Sequence, residues 1–472
     1  ILTKRIPRRY LYLGGMVLMV IGYLLFIINP TSLPVVTVGL VFFYLPQTFI
    51  QMTAILSLTD SIGYSEILDP KLKTNTLRIQ FFHPLEKESA AKNALAFSLL
   101  TTSNAVYPSM EELAKKLDTL YGISLTSGVT KFGDFQTCGI TVRTIADRYA
   151  LHQEPLLQEM TDLLLTCLLQ PNCVADGFTE FEFQTKQKDL LDTIEAEINE
   201  KRAYATAQAL ETAFQNEPAA LSCYGKKEDV LALTPQNTLA AYREVLHTAP
   251  AEIYFVGAES QPMLLEKLKA ALTPLDRPNV PSYTFHVPSP AKAEPVTVVE
   301  PLPVNQTKMV LVLKSDCDNR YVMQMVSYIL GALPSSKLFA NVREKMSLCY
   351  YCSSSYSTPK QAMIISSGVE HDNLEKAKTA ILEQLTAIQN GDISDAELES
   401  ARMSIYNTLN GIGDTPGSHI NWYQGCYYWN NYHTPEDSLK QYLAITKEDI
   451  TKAARTLKLD TVYIMDTKKE EA

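Results

Sequence analysis

The stretch Ser335-Ser-Lys-Leu-Phe-Ala-Asn-Val-Arg-Glu-Lys-Met-Ser-Leu-Cys-Tyr350 passes from helix to strand in a few residues. Lys337–Glu344 reads as a helix and Leu348–Ser355 as a strand, because the spacing of apolar residues shortens from helical to alternating. Upstream lie a strand, Lys308–Lys314, and a helix, Arg320–Leu333. Downstream come a strand at Ala362–Ser367 and helices over Asn373–Gln389 and Ser394–Asn410. Strands and helices therefore alternate through the second half of the chain.

The first half has the same rhythm. Thr76–His83 reads as a strand. Ser109-Met-Glu-Glu112 is a capping box for a helix to Leu120, which Tyr121-Gly122 ends. Strands are predicted near Ile123–Thr130 and Gln136–Thr144, and helices over Leu156–Leu169, Phe181–Ala213 and Pro235–His247. The strand Ile253–Val256 follows.

Between the halves, residues 274–305 carry prolines at 274, 278, 281, 288, 290, 295, 301 and 303. Proline lacks an amide donor and has a fixed φ, so this density excludes a helix or a central strand and predicts an extended linker. A faint repeat relates the halves. Thr234 and Arg243 recur as Thr446 and Arg455, 212 residues on, and Tyr254 recurs as Tyr463, 209 on. The fold class expected is α+β, with two homologous lobes over 65–273 and 306–472. Each lobe is a mainly antiparallel sheet covered by helices.

Of the 472 residues, 46% are apolar and 20% charged, with a formal net charge of −10. No charged residue occurs from Tyr10 to Thr59, while Lys4, Arg5, Arg8 and Arg9 precede that run. These four supply +4 against a total of −10, leaving −14 for the rest. An acidic body without clustered Lys and Arg argues against a nucleic-acid partner. Tyr10–Ile28 is long enough to span a bilayer, and a second apolar stretch follows over Val35–Leu58. Residues 1–60 are thus predicted to be a transmembrane helical hairpin, with the preceding basic residues cytoplasmic and the body membrane-anchored in the cytoplasm. If that segment is not native to the chain, the body is simply cytoplasmic. The eight cysteines are sparse and partly within apolar runs, which suits a reducing compartment better than a disulfide framework.

Ser335–Tyr350 resembles the phrase "LF..VREK..L.Y" of the pitrilysin/insulinase zinc metallopeptidases. Leu113–Gly122 resembles the helix after that family's active-site helix, and Leu457–Tyr463 its terminal strand. The resemblance covers roughly residues 65–472. Active members hold zinc through H-x-x-E-H, where two histidines one turn apart bind the metal and the glutamate acts as base. The matching stretch here is Lys92-Asn-Ala-Leu-Ala-Phe-Ser98, without His or Glu. The seven histidines are at 83, 152, 247, 286, 371, 419 and 433, and no two lie within five residues. No catalytic residue, metal ligand or cofactor is therefore expected. Glu197 resembles the position of the third zinc ligand, and its plain reading is a solvated carboxylate.

The resemblance implies a role for two residues. Family members reach the peptide from the second lobe with an Arg and a Tyr, matched here by Arg343 and Tyr350. A guanidinium and a phenol can hold a peptide carbonyl and stabilise oxyanion charge. The chain then resembles the non-catalytic bacterial subunit of a heterodimer. It would bind peptide and complete a site in a homologous zinc-containing partner carrying H-x-x-E-H. The alternative is a scaffold protein of a membrane-associated complex. Two further features stay open. Cys349 and Cys352, three apart on a strand, are expected to face opposite ways. Trp422, Tyr423, Tyr427, Tyr428, Trp429 and Tyr432, flanked by His419 and His433, fit either a partner surface or core packing.

Overall fold

The computed structural model describes residues 53–467, with side chains from Leu56 onward. The first lobe comprises β1 Thr53–Thr59, β2 Ile62–Leu68, β3 Thr74–Pro84, α1 Lys87–Leu99, α2 Met110–Thr119, β4 Ser124–Phe132, β5 Phe135–Ile145 and α3 Leu156–Leu169. A short ribbon follows, β6 Cys173–Val174 with β7 Gly177–Phe178. Then come α4 Glu180–Ala196, α5 Lys201–Ala213, α6 Lys227–Leu231, α7 Pro235–Thr248, β8 Ala251–Gly257 and α8 Pro262–Leu272. The second lobe holds β9 Val296–Pro301, β10 Thr307–Lys314, α9 Arg320–Ser327, β11 Cys349–Ser357 and β12 Ala362–Val369. It closes with α10 Leu374–Gln389, α11 Asp395–Asn410, α12 Pro416–Tyr428, α13 Pro435–Leu443, α14 Lys447–Ala454 and β13 Lys458–Asp466.

The two sheets share one topology. The first runs β1-β2-β8-β3-β5-β4 and the second β9-β13-β10-β12-β11, so the last five strands of one match the five of the other. In each, one pair is parallel, β2 with β8 and β9 with β13, and the rest are antiparallel. The sequence repeat falls on equivalent positions. Thr234 and Thr446 each cap a helix through a capping box, and Tyr254 and Tyr463 stand on β8 and β13.

Each sheet buries one face against its own lobe's helices and the other against a helix of the opposite lobe. Ala205, Ala209 and Ala213 of α5 pack on Val310, Val312, Ile364, Tyr463 and Met465 of the second sheet. In return, Ile420 of α12 packs on Ile67, Tyr254 and Val256 of the first sheet. Tyr427 and Tyr428 continue this contact onto Phe82, Phe132, Phe135 and Phe285. The aromatic run near Trp422 is thus largely interlobe core. Tyr428 stacks on Phe132 with centroids 3.8 Å apart, and Trp422 Nε1 donates to the His433 carbonyl at 3.0 Å.

Several expectations are corrected. Thr53–Leu58, read as the end of an apolar span, is strand β1 paired antiparallel with β2. The first lobe's sheet therefore begins before residue 60, because Thr and Ile at strand spacing find partners there. The rest of the proposed hairpin lies outside the described residues. Among those described, no helix is long and apolar enough to cross a membrane. The long helix over Phe181–Ala213 is broken at Glu197–Glu200, which lets α4 stay on its own lobe while α5 crosses to the other. The proline-rich stretch contains β9, an edge strand, where proline's missing donor is tolerated. Finally, Tyr328–Ala332 and Leu338–Lys345 are widened π-helical turns rather than α-helix.

Candidate functional site

The zinc position of the resemblance falls on α1. Asn93 is 1% exposed and donates from Nδ2 to Gln136 Oε1 on β5 at 3.0 Å. Gln136, fully buried, donates in turn to the carbonyls of Ala90 at 3.0 Å and Cys223 at 2.6 Å. Two amides thus satisfy one another and the backbone where imidazoles would stand. Around them lie Ala90, Ala91 and Ala94, which carry no donor atoms. The Cys138 thiol, beneath this network, is pushed well above its ordinary range by burial. Glu197 sits at the break between α4 and α5, and partial burial raises its carboxyl pKa. These residues do not fit a zinc ion. Among the described residues, no three His, Cys, Asp or Glu side chains are grouped to hold a metal.

The second lobe places Arg343 and Tyr350 on either side of the turn that leads into β11. The π-helical segment Leu338–Lys345 presents Arg343 near its end, where the guanidinium lies over the Phe339 ring at 4.5 Å. Its Nε is 3.6 Å from Glu344 Oε1, and the side chain is 39% exposed. Tyr350 is 62% exposed. Its hydroxyl donates to Glu370 Oε1 at 2.6 Å, and this bond raises the phenol pKa.

A β-bulge aims Tyr350. Cys349 pairs with Val369 and Tyr351 with Gly368, so Tyr350 is an extra residue on its strand. The bulge shifts the alternation by one. Cys349 and Cys352 consequently both enter the core of the second lobe, contrary to the opposite facing expected from regular strand geometry. A hydrogen bond between the thiols, helped by the Arg343 charge, holds Cys349 below its ordinary pKa and pushes Cys352 up. Among the described residues, the pair belongs to no group of side chains that could hold a metal.

Tyr350 and Glu370 line an open cleft of about 590 Å³ between the lobes. Asn199 and Lys201, at the α4–α5 break, line it too, as do Gln306 and Lys308. Arg343 lies outside this lining. Sequence reading missed Glu370, Lys201 and Lys308, since nothing local distinguishes them from solvated charges. Strand pairing within the second sheet brings Glu370 and Lys308 beside Tyr350, and interlobe packing of α5 adds Lys201.

Two lobes of matched topology, packed on each other beside a cleft, define a peptidase-like body in which no metal-holding group stands among the described residues. Comparison with known proteins agrees. A family model described as "Peptidase M16 inactive domain" matches residues 232–405. The chain is 28% identical over 401 residues to the "Probable inactive metalloprotease YmfF" of Bacillus subtilis (strain 168), covering 84% of this chain and 93% of that one. Among solved structures, a conserved protein from Enterococcus faecalis V583 is 25% identical, with a TM-score of 0.83 over 89% of this chain and all (100%) of that one. A peptidase M16 inactive domain from Pseudomonas fluorescens, 16% identical, matches 89% of this chain and 99% of its own, with a TM-score of 0.73. A separate, short match of 67 residues is 42% identical to a lactose permease of Leuconostoc lactis, spanning 14% of this chain and 10% of that protein. The chain is a homologue of the pitrilysin/insulinase (M16) peptidases, of the kind that lacks the zinc motif.

Proposed function

We propose that this chain is a non-catalytic peptidase-family subunit that binds peptide and completes a composite active site in a homologous partner carrying H-x-x-E-H. The observation that carries this reading is Tyr350. A bulge turns it out of the core, and Glu370 orients its hydroxyl at 2.6 Å, in an interlobe cleft. A structural tyrosine on a buried sheet would gain nothing from such exposure. Lys201 and Lys308 line the same cleft and would meet a peptide's carbonyls or carboxylates. Arg343 would reach the peptide from the partner's side of the lobe. Any anchoring of the pair to a membrane would come from residues ahead of β1.

The test is to copurify the tagged chain from its own cells, then reconstitute it with the zinc-bearing homologue it brings down. Peptide hydrolysis by the pair, absent from either chain alone, is the expected result. Recovery without such a homologue would overturn this reading. It would favour a scaffold role, which the interlobe cores and the buried charges linking the lobes also suit.

A further inference from the structure

A second cavity, of about 510 Å³, opens between β1–β2 of the first lobe and the end of α12. At its base is Glu252 of β8, 7% exposed. Its Oε2 is buried without a hydrogen-bond partner. Gln80, the register partner of Glu252 on β3, has an unpartnered buried Oε1 on the same sheet face. Gln80 stands outside the cavity lining, so it is Glu252 that brings an orphan buried oxygen to this cavity, where such groups normally cost free energy unless satisfied.

The surroundings select what could satisfy them. Gly63, opposite Glu252 on β2, leaves the carboxyl its space, since a Cβ there would fall 2.0 Å from Glu252 Oε1. Aromatic rings of Tyr283, Phe285, Tyr427 and Tyr432 contribute to the walls, and Asp60 stands in the lining as a second carboxylate. The lining contains no Lys, Arg or His. Arg277, bonded to Ser61 Oγ at 3.2 Å, is already committed to the carbonyls of Leu246 and Ala249. Burial alone raises the Glu252 carboxyl to about 8, with no cation opposing it. The other titratable groups of the lining are Asp60 and the phenols of Tyr283, Tyr427 and Tyr432; burial first, and then the Glu252 charge, raises the pKa values of Tyr427, Tyr432 and the neighbouring Tyr254.

We infer that this cavity binds a primary alkylammonium group, such as a lysine side chain or a free amine, with Glu252 as its counter-ion. An ammonium offers N–H donors for the orphan Oε2 of Glu252 and a charge to pair with its carboxylate. The aromatic rings of the lining suit the apolar chain of an alkylammonium. A neutral alcohol of equal length carries no charge to draw the proton from Glu252 and pair with the carboxylate left behind. This site is separate from the Tyr350 cleft and does not rest on the peptidase-subunit reading.

The test is isothermal titration of the whole chain with butylammonium chloride, with 1-butanol as the neutral control, at pH 7 in phosphate and in HEPES. Saturable binding of the cation alone is expected, with heats that differ between buffers because Glu252 releases a proton. Glu252→Gln should weaken binding at least tenfold and remove the buffer dependence, with thermal melting showing that the fold is retained. Gly63→Ala, which fills the space over the carboxyl, should also block binding. Absence of saturable binding by the folded wild-type chain would overturn the inference, as would equal affinity in Glu252→Gln. Glu252 would then be a neutral buried acid beneath a solvent-filled cavity.

Discussion

Lys360 and Asp134 join the tips of two equivalent hairpins. Asp134 lies in the turn between β4 and β5, and Lys360 in the turn between β11 and β12, the corresponding pair of the other lobe. Their charges meet at 3.0 Å with side chains 3% and 10% exposed, and Glu217 reaches the same ammonium at 2.8 Å. Gly133 makes the approach possible. It has φ 57° in the two-residue turn, and a Cβ there would lie 2.9 Å from Pro359 of the other lobe. Lys314, Asp460 and Lys292 extend the buried charges along the interface.

Removing one partner of this pair should be costly. Asp134→Ala leaves a buried ammonium with only Glu217, and should lower stability by about 3 kcal/mol in urea unfolding. The double change Asp134→Leu with Lys360→Met removes both charges of the pair and leaves Glu217, 28% exposed, to Lys314 and solvent. It should recover most of that loss. A single mutant as stable as the wild type would show that the pair does not hold the lobes together.

The amide network at α1 makes a second prediction. Gln136→Leu strands the Asn93 amide and the carbonyls of Ala90 and Cys223. Each orphan costs about 1–3 kcal/mol, and their sum should appear as a marked fall in Tm. Added zinc or chelator should leave the wild-type Tm unchanged, which differential scanning fluorimetry would check directly.

The composite-site reading predicts separable effects. Arg343→Ala and Tyr350→Phe should each lower kcat/KM of the reconstituted pair by about 10²-fold, the usual loss for one oxyanion donor. Assembly, followed by analytical ultracentrifugation, should be unaffected. Unchanged hydrolysis in both variants would remove these residues from the site.

Glu252 should leave a signature in pH-dependent stability. Its folded-state pKa of about 8 exceeds the ordinary carboxyl value of 4.5, so the folded state binds more protons than the unfolded state between them. Its contribution is fully present below the unfolded value and is lost as pH rises towards the folded one. The fall in Tm from pH 5 to pH 8 should therefore be shallower in Glu252→Gln than in the wild type.

Periodicity and punctuation made most elements legible. The capping boxes at Thr234 and Thr446, the helix over Leu156–Leu169 and the strands around Thr76 and Lys308 depend on neighbours in sequence. The loss of the zinc motif was equally plain, because two histidines one turn apart must be close in sequence. The break at Glu197–Glu200 was not legible, since helix-forming residues continue through it and only the need to cover the other lobe's sheet interrupts them.

The sequence by itself therefore determined that this protein is a duplicated α+β chain without the metal ligands of its family. Only tertiary structure decided which faces meet. An inserted residue, Tyr350, turned two cysteines inward, and exchanged helices buried both sheets on both sides. The same exchange placed Glu252 in a cavity walled partly by Tyr427 and Tyr432, 175 and 180 positions further along the chain. Local preference acts over a few residues, whereas burial and register are set by whichever distant surface fits, and the chain does not spell that out.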